Sequence, residues 1–317
     1  MSSYRLAIVI PYYKHEYFGE LLSSLAQQTD QRFNLYVGDD CAAIPALEAI
    51  SQSPLCNRVV YHRFTERKGH LSLTDQWNRC LDLVQSEDWI WVLPDDDMPS
   101  ENAVAEFHAA LDHSESGKFR VIRLATLIVD SDGREIGGIC RDPEIQTNVE
   151  FYSRVVRGQS GASLGDNIFH RKALLQGGGF VSFPKAWGSD HATILRVAAG
   201  GFIFALPSAC LKFRMSGINI SSDVTDGVKK IGAKILFLKW INNNRNLFPG
   251  MLCPDFYRGF YFKGEYYVLN EWRWSLEIWR KLYELRKLCL PSPGFLAFAR
   301  LFIWDGFRRL VQLLRMY

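Results

Sequence analysis

Three adjacent carboxylates, Asp95, Asp96 and Asp97, follow the apolar run Trp89-Ile90-Trp91-Val92-Leu93. Acids placed side by side at the end of a strand repel one another unless a cation or solvent compensates them, so the run marks a metal site. Two further polar groups occupy comparable positions, Pro11-Tyr12-Tyr13 after the apolar run 6–10 and Asp39-Asp40 after the run 33–37. Together these residues supply a flat face for a nucleobase, acceptors for base N–H and ribose hydroxyls, and hard oxygens suited to Mg2+ or Mn2+. Taken singly, Asp39-Asp40 reads as a turn that favours Asp, and Asp95 to Asp97 as acids at the positive end of a helix. Their recurrence at successive strand ends points to a site for a metal and a nucleotide.

The elements that must position them alternate. Apolar runs of strand length at 6–10, 33–37, 59–63 and 89–93 are separated by helical spacing at 18–28, 46–52 and 71–83, with Ser100 as a cap for the helix that follows. Such a series predicts a βαβ fold with a mostly parallel sheet, whose strand carboxyl ends converge on one crevice. After Phe119 shorter strands predict a mixed section, with Asp132-Gly133 turning a hairpin between 120–130 and 134–139. Gly177-Gly178-Gly179 lacks a following Lys-Ser/Thr and comes after a helical segment, so it reads as a helix stop, not a phosphate loop. The residues 215–227, rich in Gly, Ser, Asn and Asp, read as a loop.

The chain has 317 residues, 48% of them hydrophobic, and a formal charge of +3, enough for one large α/β domain and an appendage. Its seven cysteines are scattered and never spaced Cys-x-x-Cys, which argues against a disulfide framework or a zinc site and for a reducing cytoplasm. The N-terminal residues have no signal-peptide pattern, and Arg300 and Asp305 interrupt the most apolar stretch, so a bilayer-spanning helix is not expected. The mild charge and the lack of a recognised module exclude nucleic acid as the expected partner.

In the order and spacing of these segments, together with Gln76-Trp77-Asn78, Gly178-Gly179-Phe180 and Gly188-Ser189-Asp190-His191, the chain resembles family 2 glycosyltransferases of GT-A fold over roughly residues 4–215. These include bacterial enzymes that build O-antigen and other surface polysaccharides. The resemblance implies a Rossmann-like, mostly parallel sheet flanked by helices and a sugar transfer from a nucleotide sugar, expected to be a UDP-sugar. It implies that Pro11 and Tyr13 border the base, that Asp40 accepts a hydrogen bond from uracil, and that Asp95 lies near ribose and metal. Asp96 matches the principal metal-ligating acid of the D-x-D element, with Asp95 and Asp97 as further candidates, since Pro94 stands where many relatives have an acid. Asp190, read from the residues alone as a helix cap, matches the catalytic base of an inverting transfer, and Ser189 replaces a neighbouring acid of the family. Trp187 could stack on an acceptor sugar and His191 could touch the acceptor, although each also reads as an ordinary structural residue.

From about residue 230 the sequence predicts helices rich in aromatic and basic residues. This gives a catalytic domain over 1–230, with a nucleotide-sugar half at about 1–115 and an acceptor half at about 116–230, followed by a helical region over 231–317. Within 295–317, Phe295, Phe298, Phe302, Trp304 and Phe307 share a stretch with four Arg, the composition of a helix that lies on an anionic membrane. The expected acceptor is therefore a saccharide, lipid-linked, reached peripherally at the cytoplasmic face. Asn270-Glu271-Trp272-Arg273-Trp274 is similar to the Gln-x-x-Arg-Trp signature of processive synthases, but the Gln is replaced and their membrane spans are missing. Two rivals remain on sequence grounds: a sugar-phosphate nucleotidyltransferase, which would normally carry a Gly-rich phosphate loop near Pro11, and a non-catalytic carbohydrate-binding protein on the same fold.

Overall fold

The computed structural model describes residues 4–113, 115–217, 226–270 and 275–289, with the side chains of 265–270 left aside. The expectations for 218–225, 271–274 and 295–317 lie outside these residues. Nine strands form one sheet among them: β1 Leu6–Tyr12, β2 Phe33–Asp39, β3 Val59–Arg63, β4 Trp89–Val92, β5 Met98–Pro99, β6 Phe119–Val129, β7 Ile145–Gln146, β8 Asn167–His170 and β9 Phe202–Arg214. Their order is β3-β2-β1-β4-β8-β6-β9-β5, with β7 beside β9. The first four strands run parallel, and β8 then pairs antiparallel with both β4 and β6. The α/β class and the change of pattern after Phe119 are as the sequence predicts.

The strands read as continuous apolar runs because both faces of the sheet are covered. Alternate residues of β1 divide between two cores: Leu6, Ile8 and Ile10 pack with Phe18, Leu21 and Leu25 on one face, while Ala7 and Val9 join Tyr36, Ile90 and Phe169 on the other. The helix Phe18–Ala26 buries those residues at helical spacing, which is why its position was readable. The second core continues without a break into the helices Gly227–Asn243, Pro254–Asn270 and Leu276–Cys289, through Ile231, Phe237, Phe260 and Trp279. Among the described residues no helix is long and apolar enough to cross a membrane.

Three local expectations are corrected or refined. Ser100 does not cap the next helix, Ala103–Leu111, whose N-cap is Asn102 without a side-chain bond. The Ser100 hydroxyl instead contacts Asn102 Oδ1 at 2.7 Å and accepts from the Cys210 amide at 3.0 Å, tying the segment to β9. The turn at Asp132-Gly133 exists, with Gly133 at φ 80°, but its return arm makes only the isolated bridges Val129 to Glu135 and Thr126 to Cys140. β9 pairs with β6 in parallel along the opposite edge, where Thr126 faces Leu211 and Val129 faces Arg214. Gly177 follows the helix Arg171–Gln176, and Gly178 and Gly179 both sit at φ 82°, so the triplet is a helix stop.

Candidate active site

The register of β1 against β2 ends at Tyr12 opposite Asp39, and β4 ends just before the acid run, so all three candidate groups meet at one sheet edge. They open into a cleft of about 640 Å³ that also reaches the helices after Gly227.

At one end of the cleft Asp39 and Asp40 have different tasks. Asp39 is fully buried and accepts from the amide of Ala42 at 2.8 Å and the hydroxyl of Tyr61 at 2.8 Å, so it holds the backbone. Asp40 lines the cleft, yet both of its oxygens are engaged. Oδ1 accepts from the Lys68 amide at 2.7 Å and from Arg79 Nη2 at 2.5 Å, and Oδ2 accepts from the Gly69 amide at 2.8 Å. Its first effect is therefore to fasten the loop 66–72 against the cleft, and only Oδ2 keeps acceptor capacity for a base. The guanidinium of Arg67 lies 3.9 Å from the ring centroid of Tyr13, a cation–π contact at the mouth of this slot. The sequence reading had given no role to Arg67 or Gly69. Only the Glu66-Arg67-Lys68-Gly69 turn composition hinted at a functional loop.

The three acids at the end of β4 turn in different directions. Asp95 Oδ2 accepts from the amides of Tyr13 and Lys14, both at 2.7 Å, which locks the β1 end to the β4 end. Asp97 Oδ1 accepts from the Arg214 amide at 3.0 Å, while its Oδ2 is buried without a partner. Asp96 has the Lys14 ammonium 3.5 Å away as its ion-pair partner. Arg214, almost wholly buried, reaches the Asp96 carbonyl at 3.1 Å and the Glu20 carboxylate at 2.5 Å, so a second strand end braces the acid run. Among the described residues no three His, Cys, Asp or Glu side chains converge as a metal set. Burial first, and Asp96 second, push the Asp95 carboxyl up to about 6 and Asp97 well above the usual carboxylate range. Three adjacent acids with one ammonium among them and a lone buried oxygen on Asp97 fit a divalent cation, which commonly takes one or two carboxylates and completes its shell with substrate phosphates.

At the other end the helix Ser189–Val197 begins after Gly188, which stands at φ 85° and serves as N-cap without a side-chain bond. Asp190 is therefore not the cap. Its Oδ1 accepts from the His191 amide at 2.8 Å and lies 3.0 Å from His191 Nδ1, and Oδ2 has no hydrogen bond among the described residues. Ser189, where the family has an acid, is buried and its hydroxyl accepts from the Phe183 amide at 3.1 Å, so it positions the preceding loop. His191 is half-buried against Phe151 and Tyr152, and Trp187 carries the Lys230 ammonium 4.6 Å from its ring centroid. All four residues from Trp187 to His191 except Ser189 line the cleft. So do Lys234 and Lys263, from helices whose residues the sequence reading left without a role.

Residues 7–124 match the family model of glycosyl transferase family 2. No curated protein matches the chain in sequence. Among solved structures, the S. aureus protein TarS 1-349 in complex with UDP-GlcNAc is similar at TM-score 0.67 and 16% identity, over 90% of this chain and 82% of that one. Mannosyltransferase PcManGT from Pyrobaculum calidifontis, in complex with GDP-Man and Mn2+, is similar at TM-score 0.56 and 14% identity, over 98% of this chain and 81% of that one. At these identities the likeness is one of fold, and the fold is GT-A.

Proposed function

We propose that this chain, which matches the glycosyl transferase family 2 model over residues 7–124, is a glycosyltransferase that moves a sugar from a nucleotide sugar to a saccharide hydroxyl with inversion. The observation that carries the reading is that Tyr13, Asp40, Asp96 and Asp190 all line one cleft, which brings groups suited to a base, a metal-bound diphosphate and an acceptor hydroxyl to one place. The similar structures in complex with UDP-GlcNAc and with GDP-Man and Mn2+ support a nucleoside diphosphate sugar as donor, and we assign a UDP-sugar.

In this mechanism Pro11 and Tyr13 border the base, and Asp40 holds the loop that carries Arg67 over the slot. Asp96, now paired with Lys14, would be the principal residue to hold Mn2+ or Mg2+, with Asp95 and Asp97, which fix the backbone on either side, as further candidates. When bound, such an ion neutralises charge on a departing diphosphate. Asp190 Oδ2 takes the proton from the acceptor hydroxyl as its oxygen bonds to the anomeric carbon. The bond from that carbon to the diphosphate oxygen breaks on the opposite face, the electron pair leaves with the nucleoside diphosphate, and the configuration inverts. We assign residues 1–115 to the donor, 116–230 to the acceptor, and the helices from 231 to acceptor or membrane contact. The basic aromatic residues of 295–317 support a lipid-linked acceptor at the cytoplasmic membrane face, as in surface polysaccharide assembly.

A thermal-shift titration with UDP, GDP, CDP and ADP, each with and without Mn2+, tests the donor assignment. At about 100 times Kd one nucleotide should stabilise the chain by about 2.7 kcal/mol. The shift should need Mn2+ and disappear in Asp96→Ala. No shift with any diphosphate would overturn the reading in favour of a non-catalytic carbohydrate-binding protein.

A further inference from the structure

Lys234 and Lys263 enter the cleft from the helices Gly227–Asn243 and Pro254–Asn270, on the side of Asp190, His191 and Tyr152. Neither has an acidic partner among the described residues. Lys263 donates to the Val155 carbonyl at 2.9 Å, and the Lys234 ammonium lies 3.9 Å from the ring centroid of Phe260. An ammonium kept from water without a carboxylate is costly, and packing alone does not require it, because a Met of similar length would fill the space. The seat is nevertheless made for a long stem. A Cβ at Gly264 would stand 2.9 Å from Lys234 Cε and 2.8 Å from Leu285 Cδ2, so only glycine there leaves the passage open.

We infer that Lys234 and Lys263 form an anion subsite beside Asp190, and that the acceptor carries a phosphate or carboxylate next to the hydroxyl that receives the sugar. This deepens the proposed function and rests on Asp190 marking the acceptor end. Burial, and then the neighbouring Lys263, bring Lys234 down to about 7, and burial lowers Lys263 against the opposing attraction of Asp190. Two amines that repel each other and are only partly open to solvent are the environment an incoming anion relieves. The donor diphosphate is a less suitable occupant, because its proposed seat is at Asp96 and Lys14, whereas Lys263 donates to the Val155 carbonyl and is acted on by the Asp190 carboxylate.

Saturation-transfer NMR with glycerol 3-phosphate, glucuronate and uncharged glucose, with and without UDP and Mn2+, tests the inference. An anionic probe should bind, the stronger of the two identifying phosphate or carboxylate as the group, and glucose should not. Lys234→Met and Lys263→Met should each weaken that probe at least tenfold and leave UDP affinity within about twofold, a tenfold change being about 1.4 kcal/mol. Lys234→Met should also raise Tm, which a merely structural lysine would not do. Equal binding of glucose, unchanged anion affinity in both variants, or a parallel loss of UDP affinity would each overturn the inference. If UDP fails to bind the unaltered chain, the donor assignment fails while the arms without UDP still decide the anion subsite.

Discussion

Asp190 shows how one side chain can satisfy local geometry without being consumed by it. It sits in the first turn of its helix, where a negative charge is favoured by the helix dipole, but Gly188 performs the capping position, and Asp190 lines the cleft with Oδ1 engaged by the His191 amide. A residue needed only for the helix would tolerate Asn, which keeps the hydrogen bond from the His191 amide through its carbonyl oxygen. A general base would not, because the amide cannot take a proton. Asp190→Asn should therefore lower kcat by about 100-fold or more, the ordinary contribution of general base catalysis, with nucleotide affinity and Tm little changed. Steady-state kinetics with a fixed donor checks this, and near-normal turnover would move the base elsewhere in the cleft. The same scale separates Asp96 from its neighbours. Asp95 and Asp97 are committed to backbone amides, and Asp96 alone of the three is balanced by a cation.

At the scale of elements, the loop 66–72 depends on its glycine. A Cβ on Gly69 would come within 2.6 Å of Asp40 Oδ2, so Gly69→Ala must push the carboxylate off the two amides it holds. Losing one such charge-assisted bond costs about 1–3 kcal/mol. We expect nucleotide affinity to fall roughly tenfold or more, with a smaller effect on folding because the loop lies at the surface. Calorimetric titration of UDP with Mn2+ into both proteins is the check, and unchanged affinity would remove Asp40 and its loop from the donor site. The strands that carry Tyr13, Asp40 and Asp95 were legible in the sequence, because doubly covered parallel strands leave uninterrupted apolar runs and the polar residues after them must lie at one edge. Asp190 was legible through its motif. Arg67, Lys234 and Lys263 were not, because a lone basic residue on a helix or turn has the same local pattern whether it faces water or a cleft. Ser100 misled for the opposite reason, since a good capping residue was taken up by a strand from residues 202–214.

For the whole molecule, the helices from Gly227 onward are joined to the sheet by one continuous core, and that union forces a charge into an apolar wall. The titratable groups that act on Lys234 are Lys263 on the next helix and Cys289 at the end of the helix Leu276–Cys289, and Asp190, His191 and Tyr152 line the same cleft. Its folded pKa of about 7 is below the ordinary lysine value of 10.5, so between these values the unfolded chain holds a proton that the folded one has released. The unfolded state then binds more protons, and stability rises with pH through that window by at most about 1.4 kcal/mol per unit. Below about pH 7 both states are protonated, the slope vanishes, and the full cost of the buried charge is present. Lys234→Met removes the titrating group and keeps the stem. The variant should therefore be more stable than the unaltered chain at pH 7, and the gap should narrow by on the order of 1–2 kcal/mol by pH 9 after allowance for partial solvent access. Urea unfolding of both proteins at the two pH values measures the gap, with groups such as Cys289 and Lys263 common to both. A gap that does not change with pH would mean that Lys234 is solvated in the folded protein and that the fusion of helices to sheet carries no stored charge.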